Sequence, residues 1–231
     1  MQDKVIPKGK WKFDKEVTDC FEDMLNRSIP NYEEMRKLVT KLGLHFCVKD
    51  SWIVDIGCSE GSAIAPFISK LGKNNKYMLL DKSKPMIEQA KVCMFGMADV
   101  IQHIDITENL PKCEASLYLS ILTLQFIPIE HRQQVLKNIY NNLIDGGALI
   151  IVEKVLGNTF DIDKIFVDEY FQLKKENLYT QEQIKAKRKS LEGVLVPLTE
   201  RWNISLLHET GFKKIDCFWR YLNFAGWIAI K

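Results

Sequence analysis

The segment Asp55-Ile56-Gly57-Cys58-Ser59-Glu60-Gly61 is the strongest chemical signal in the sequence. It follows Trp52–Ile56, an apolar run that reads as a buried strand. It precedes Ser62–Leu71, which reads as a helix. Gly57 permits a sharp turn and lets the backbone approach a ligand with no Cβ in the way. Gly61 permits close helix–strand packing. The helix start adds unpaired N–H groups and partial positive charge, suited to a carboxylate or phosphate. The spacing is not G-x-G-x-x-G, which argues against a nicotinamide dinucleotide. Cys58 reads as a small residue that fits the turn, because no histidine is near it in sequence.

Two further acids continue the pattern. Asp81 ends the second apolar run, Tyr77–Leu80, 26 residues after Asp55. A carboxylate there accepts hydrogen bonds from a ribose diol and repels a 2′-phosphate; the competing role is a cap for the helix starting at Ser83–Pro85. Asp105 ends the third run, Val100–Ile104, where it would accept an adenine amine while Ile106 lines the base. His103 just before it reads as a core or edge residue. Three acidic strand ends and a glycine turn along one sheet edge imply adenosine with an amino-acid tail, which is S-adenosylmethionine (SAM).

These residues need a sheet to hold them. After the third strand come Ala115–Leu122, the amphipathic helix Ile129–Leu143 stopped by Asp145-Gly146-Gly147, and a fifth strand, Ala148–Val152. Strands separated by helix-length segments imply parallel βαβ units and a doubly wound α/β sheet. Lys213–Tyr221 and Asn223–Ile230 are joined too tightly for a crossover, so this pair is antiparallel. The expected fold is a Rossmann-like class I methyltransferase sheet, mostly parallel with an antiparallel C-terminal strand and helices on both faces. Residues 1–50 read as an N-terminal helical cap. Residues 51–231 read as the SAM-binding domain, with a helical insertion at about 159–209. The aromatic cluster Phe218, Trp219, Tyr221, Phe224 and Trp227 reads as sheet packing.

Composition narrows the class. The 231 residues are 46% hydrophobic and 27% charged, which excludes a disordered chain and a collagen. Thirty-two basic against thirty acidic residues leave a net charge of +2, with no global field for nucleic acid. No apolar run approaches the ~20 residues of a membrane span, and the polar N-terminus lacks a signal-peptide core. The expected compartment is the cytoplasm. The six cysteines show no C-x-x-C spacing and no zinc pattern, so free thiols and no metal are expected.

From about Trp11 to Lys231 the sequence resembles the carboxy-S-adenosylmethionine synthase family. The matching stretches are Phe13-Asp14, FEDMLNRSIPNY (Phe21 to Tyr32), DIGCSEG (Asp55 to Gly61), TLQF (Thr123 to Phe126), GGALIIVEK (Gly146 to Lys154), Lys187-Arg188, and NFAGWIAIK (Asn223 to Lys231). The resemblance implies a homodimer that reacts prephenate with SAM, preparing carboxy-SAM for wobble-uridine modification of tRNA. The carbon dioxide leaving prephenate would be captured by the sulfonium methyl after it loses a proton. Carried onto this chain, Tyr32 would reach the ligand from the cap, Gly57, Cys58 and Ser59 would hold the amino-acid tail, Asp81 with Lys82 the ribose, and Asp105 with Ile106 the adenine. Arg188 would meet the new carboxylate.

Each of these has a plainer alternative. Arg188 sits in Lys185-Ala186-Lys187-Arg188-Lys189, which also reads as a solvated helix face. An RNA-backbone patch is disfavoured by the flanking Glu182 and Glu192. Tyr32 and Trp11 also suit simple apolar packing. Two positions depart from the family pattern. Ile121 stands where the family has Asn, so a polar contact is lost unless Ser120 supplies it, and Lys82 stands where the family has Asn. Two alternatives stay open: a SAM-dependent methyltransferase acting on a small molecule or RNA, and a non-catalytic SAM-binding protein.

Overall fold

The computed structural model describes all 231 residues, Met1–Lys231. Three helices come first: α1 (Lys15–Asp19), α2 (Phe21–Ser28) and α3 (Tyr32–Gly43). The alternating region gives β1 (Trp52–Ile56), α4 (Ala65–Leu71), β2 (Lys76–Asp81), α5 (Lys84–Cys93) and β3 (Val100–His103). It continues with β4 (Ala115–Ile121), α6 (Ile129–Asn142) and β5 (Leu143–Leu156). Then follow α7 (Phe160–Glu176), α8 (Gln181–Leu191), β6 (Leu198–Thr199), α9 (Glu200–Thr210), β7 (Lys214–Tyr221) and β8 (Phe224–Ile230).

The main sheet runs β3-β2-β1-β4-β5-β8-β7, with the short β6 paired to β5 off this path. Strands β1 to β5 are parallel. Strand β8 lies antiparallel to both β5 and β7. This is the sheet expected from the alternation and the tight final connection. The strand order reverses between β1 and β4, so a crevice opens at their carboxyl ends. Both faces are buried, at a period of two residues. Val54 and Ile56 pack with Val135 and Ile139 of α6 and Leu207 of α9. Ile53 faces the other way, against Met35 and Val39 of α3 and Phe67 of α4.

Several boundaries differ from the sequence reading. Asp145-Gly146-Gly147 does not separate a helix from a strand: α6 ends at Asn142 and β5 begins at once. The β4–β5 register jumps there, from Ala115 opposite Leu143 to Leu117 opposite Ala148, and Gly146 takes φ +78° inside the irregularity. The glycines therefore bend a strand. Strand β3 ends at His103, leaving Asp105 in the following turn. Helix α4 starts at Ala65 rather than Ser62. The stretch from Thr159 to Glu209 is broken at Leu178 (φ +66°) before Thr180 opens α8 with a reciprocal capping box.

Residues 1–14 are extended rather than helical. They are strapped across α2 and α8. Asp3, buried completely, is ion-paired with Lys187 and accepts a hydrogen bond from the Tyr179 hydroxyl. Arg27 donates to the Asp3 carbonyl at 3.1 Å, and the Trp11 N–H donates to Ser190 O at 2.9 Å. No helix is long and apolar enough to cross a membrane.

Candidate active site

The N-terminal segment covers the crevice and leaves a cavity of about 380 Å³. Its floor is the turn after β1. Gly57 has φ +63°, Ser59 φ +50° and Gly61 φ +89°. A Cβ on Gly57 would lie 2.4 Å from the Thr123 side chain, whose hydroxyl donates to Ile56 O at 3.0 Å. The DIGCSEG turn and the TLQF turn are thus fitted to each other. A Cβ on Gly61 would meet Leu79 and Met94 at 2.9 Å, which is the close packing expected of that glycine.

The three acids converge on this cavity, with different surroundings. Asp55 is 1% exposed, and its Oδ2 is sealed from solvent with no hydrogen-bond partner. Burial pushes its carboxyl up to about 7; Arg36 opposes the shift and Asp81 adds to it. Asp81 accepts from the Ser59 N–H at 2.9 Å and the Ser83 N–H at 2.8 Å, so it ties the glycine turn to the start of α5. The α5 cap itself is Ser83, whose hydroxyl accepts from the Met86 N–H. Burial raises the Asp81 carboxyl, and these N–H donors offset part of the rise. Asp105 turns its Oδ1 onto the Thr107 N–H and hydroxyl, at 3.0 and 2.7 Å, and Lys82 Nζ approaches Oδ2 at 3.5 Å. Burial would raise Asp105, but these contacts outweigh it and hold the carboxyl below its ordinary value. Ile106 beside it is buried and lines the cavity.

Tyr32 is the first residue of α3. It follows Asn31, which adopts the left-handed conformation (φ 48°) that asparagine tolerates. Arg36 stands one turn later on the same face; it donates to Ser62 O at 2.5 Å and also lines the cavity. Cys58 is buried, and burial together with Asp55 and Asp81 pushes its thiol well up, which leaves no thiolate nucleophile. His103 lies at the exposed edge, its Nε2 2.9 Å from Lys82 O. Phe224 is the member of the aromatic cluster that reaches the cavity.

Arg188 reaches the cavity wall from α8 but is exposed, with its guanidinium 5.3 Å from the Phe171 ring centroid. The buried member of the Lys187-Arg188 pair is Lys187, held by Asp3. The helix turns successive side chains about 100° apart, so only one of the two can face the strap. Ser120 does not stand in for the missing Asn. Its side chain points to the opposite sheet face, buried and unpartnered, while Ile121 lines the cavity.

Four lining or supporting residues escaped the sequence reading. Arg36 was signalled by its i+4 spacing from Tyr32. Glu153, buried on β5, accepts from the N–H groups of Leu124 (2.9 Å) and Gln125 (2.7 Å), and so clamps the TLQF turn. Burial pushes Glu153 up to about 8 against those two donors and Arg132. Lys154 and Lys174 line the same cavity, with Tyr170 and Phe171, and apart from each other the charges that act on them most strongly are those of Asp163, Arg188 and Asp3 rather than the three acids. Lys154 ends the GGALIIVEK stretch, but neither its local context nor that of Lys174 signals a place in the cavity. No group of three or more His, Cys, Asp or Glu side chains is placed to hold a metal ion. The site therefore joins an acidic, hydrogen-bonding half to a cationic, aromatic half.

Residues 53–147 match the family described as a methyltransferase domain. The chain is 34% identical to the carboxy-S-adenosyl-L-methionine synthase of Methylococcus capsulatus, over 95% of this chain and 93% of that protein. It is 37% identical to the synthase of the same name from Staphylococcus epidermidis, over 96% and 97%. Among solved structures, human N-acetylserotonin methyltransferase in complex with SAM superposes with a TM-score of 0.60 at 17% identity. That match covers 94% of this chain and 55% of the human one. An O-methyltransferase family protein from Burkholderia thailandensis gives 0.67 at 14%, over 95% and 60%. The chain thus spans little more than half the length of these two structures, and their likeness establishes the class I methyltransferase fold.

Proposed function

The chain belongs to the carboxy-S-adenosyl-L-methionine synthase family, and we propose that it converts SAM and prephenate to carboxy-SAM. The observation that carries this reading is the single cavity with an acidic half and a cationic half. The acidic half fits the nucleoside. Asp55 lines this half without a counter-ion or hydrogen-bond donor, and the ammonium of the amino-acid tail supplies one. The turn at Gly57, Cys58 and Ser59 brings backbone to the tail. Asp81 faces the ribose, with Lys82 beside it, and Asp105 and Ile106 face the base. Tyr32 and Arg36 close this half from above.

The sulfonium supplies an acidified methyl and a positive centre. Prephenate loses carbon dioxide and hydroxide as its ring aromatises to phenylpyruvate; the methyl gives up one proton and gains the carbon dioxide, so water is the remaining product. The chain supplies alignment and dryness for this exchange. The strap, α2 and the TLQF turn exclude water, and Arg188 offers a planar fork to the new carboxylate. The product would serve tRNA wobble-uridine modification. The proposed setting is the cytoplasm, and the proposed state a homodimer, for which the exposed apolar residues Phe160 and Ile165 of α7 offer contact surface. Residues 1–50 act in this reading as the cap of the SAM domain.

Mass spectrometry of ligand carried by freshly purified protein tests the proposal. Carboxy-SAM, heavier than SAM by one carbon dioxide, is the expected species, and Arg188→Lys reduces its retention while leaving SAM binding intact. Retention of SAM or S-adenosylhomocysteine alone, with prephenate unconsumed, would overturn it. Ile121 specifically favours a second reading, plain methyl transfer, because it removes a polar group from the cavity wall. Labelled methyl appearing on an acceptor would establish that reading.

A further inference from the structure

Three cations line the cavity together, Lys154 of β5, Lys174 of α7 and Arg188 of α8, and Lys154 is shifted by the other two and not by Asp55, Asp81 or Asp105. None is salt-bridged. The two lysines share one aromatic ring, with their Nζ atoms 4.6 and 4.7 Å from the Tyr170 centroid. Lys154 also approaches Phe224, and Lys174 approaches Tyr179. The acids that attract them, Asp163 for Lys154 and Asp3 for Lys174, form no ion pair with either lysine. Asp163 accepts from the Gly157 N–H at 2.7 Å, and Asp3 is taken by Lys187 and Tyr179. Burial lowers both lysines, Lys174 to about 8. The charges of Lys174 and Arg188 lower Lys154 further.

Lys174 is buried and Lys154 half-buried; ammonium groups so placed without a carboxylate are costly, and contact with aromatic faces recovers only part of that cost. Elsewhere in this chain the buried lysine beside the cavity, Lys187, has its counter-ion. An anion delivered by a ligand would serve the other two. We propose that Lys154 and Lys174 bind the 2-oxo-acid carboxylate that the second substrate keeps, with Tyr170, Phe171 and Phe224 packing against its ring. This rests on the carboxy-SAM synthase reading. It divides the anions of that reaction: the retained carboxylate goes to the lysines, and the transferred one goes from the substrate ring to the sulfonium methyl beside Arg188.

Phenylpyruvate separates the two, because it has the retained carboxylate and lacks the transferred one. Its binding to the SAM-loaded protein is measured by titration calorimetry for wild type, Lys154→Met and Lys174→Met. The expected result is binding by wild type, weakened at least tenfold in each variant, with SAM affinity within twofold. Removing an unpaired buried charge leaves the ligand-free melting temperature unchanged or higher, whereas a merely structural lysine would lower it. If either methionine variant fails to fold, Lys→Gln at the same position is used. Absence of phenylpyruvate binding in wild type, a change below twofold in the variants, or equal loss of SAM binding would each overturn the proposal. Lysine-dependent phenylpyruvate binding without turnover of prephenate would instead overturn the synthase reading, and the two failures are distinct.

Discussion

At the scale of single residues, Asp55 has the sharpest consequence. Its carboxyl stands at about 7 because it is buried with one oxygen unpartnered. An ammonium placed against it favours the ionised form, so ligand uptake below that pH must release a proton. The ligand's α-amino group loses its own charge near pH 7.7–8.0, about the ordinary value for such groups. Affinity for SAM therefore rises about five- to tenfold between pH 6 and 7.5, then falls above about pH 8. Calorimetry in buffers of different ionisation enthalpy reads both the affinity and the proton released. Asp55→Asn should flatten the acid limb. An unchanged acid limb in that variant would assign the titration to another group. The position of this aspartate was legible from the DIGCSEG motif. Its raised pKa was not, because the burial that raises it is made by elements packed around the strand end, with Asp81 adding to the shift and Arg36 opposing it. Ile121 and Ser120 make a related point: strand alternation places Ser120 on the face of Tyr118, opposite Ile121, and Ile121 lines the cavity while Ser120 does not.

At the scale of elements, the parallel strands and the final hairpin were legible because both sheet faces are buried and the apolar runs are short and clearly bounded. The β5 start was not, since Asp-Gly-Gly has the local chemistry of a helix stop, and only pairing with β4 keeps it extended. The strap was hidden for a different reason. Asp3 lies in a polar N-terminus and meets Lys187 across 184 residues, a contact with no local signature. Glu153 was visible as part of GGALIIVEK, but its task is set in three dimensions. Its two oxygens hold the Leu124 and Gln125 N–H groups and so fix the turn that presents Thr123 to Gly57. Glu153→Gln keeps the shape but turns an amide donor toward one of those N–H groups, leaving it unpaired. The expected loss is about 1–3 kcal/mol of stability. Thermal melting should register it, together with weaker SAM binding, because the glycine turn loses its support. A variant as stable as wild type would show that the turn holds itself.

At the scale of the whole molecule, the buried acids set how stability depends on pH. Asp55 and Glu153 have folded values of about 7 and 8, against ordinary values of 3.8 and 4.5. Between each pair of values the folded chain holds more protons than the unfolded chain, so stability falls as pH rises. Their favourable contribution is complete below the unfolded values and is lost as pH passes the folded ones. Lys174 works in the opposite sense: its value is lowered from 10.5 to about 8, so its contribution recovers stability only above that pH. Asp3, held low despite burial because Lys187 and Tyr179 outweigh the burial penalty, loses its contribution only in stronger acid. The window between about pH 5.5 and 8 is therefore governed by the two raised carboxyls. The two shifts together correspond to a loss on the order of 5 kcal/mol across it, and so to a melting temperature lower by roughly 10 °C or more at the alkaline end for a domain of this size. Saturating SAM should shrink that slope, because its ammonium against Asp55 favours the charge that the empty fold opposes. Melting curves of ligand-free and SAM-saturated protein at both ends of the window check this. Equal slopes would mean that the ligand does not reach Asp55, which would separate the nucleoside site from the sealed carboxylate at the centre of the sheet.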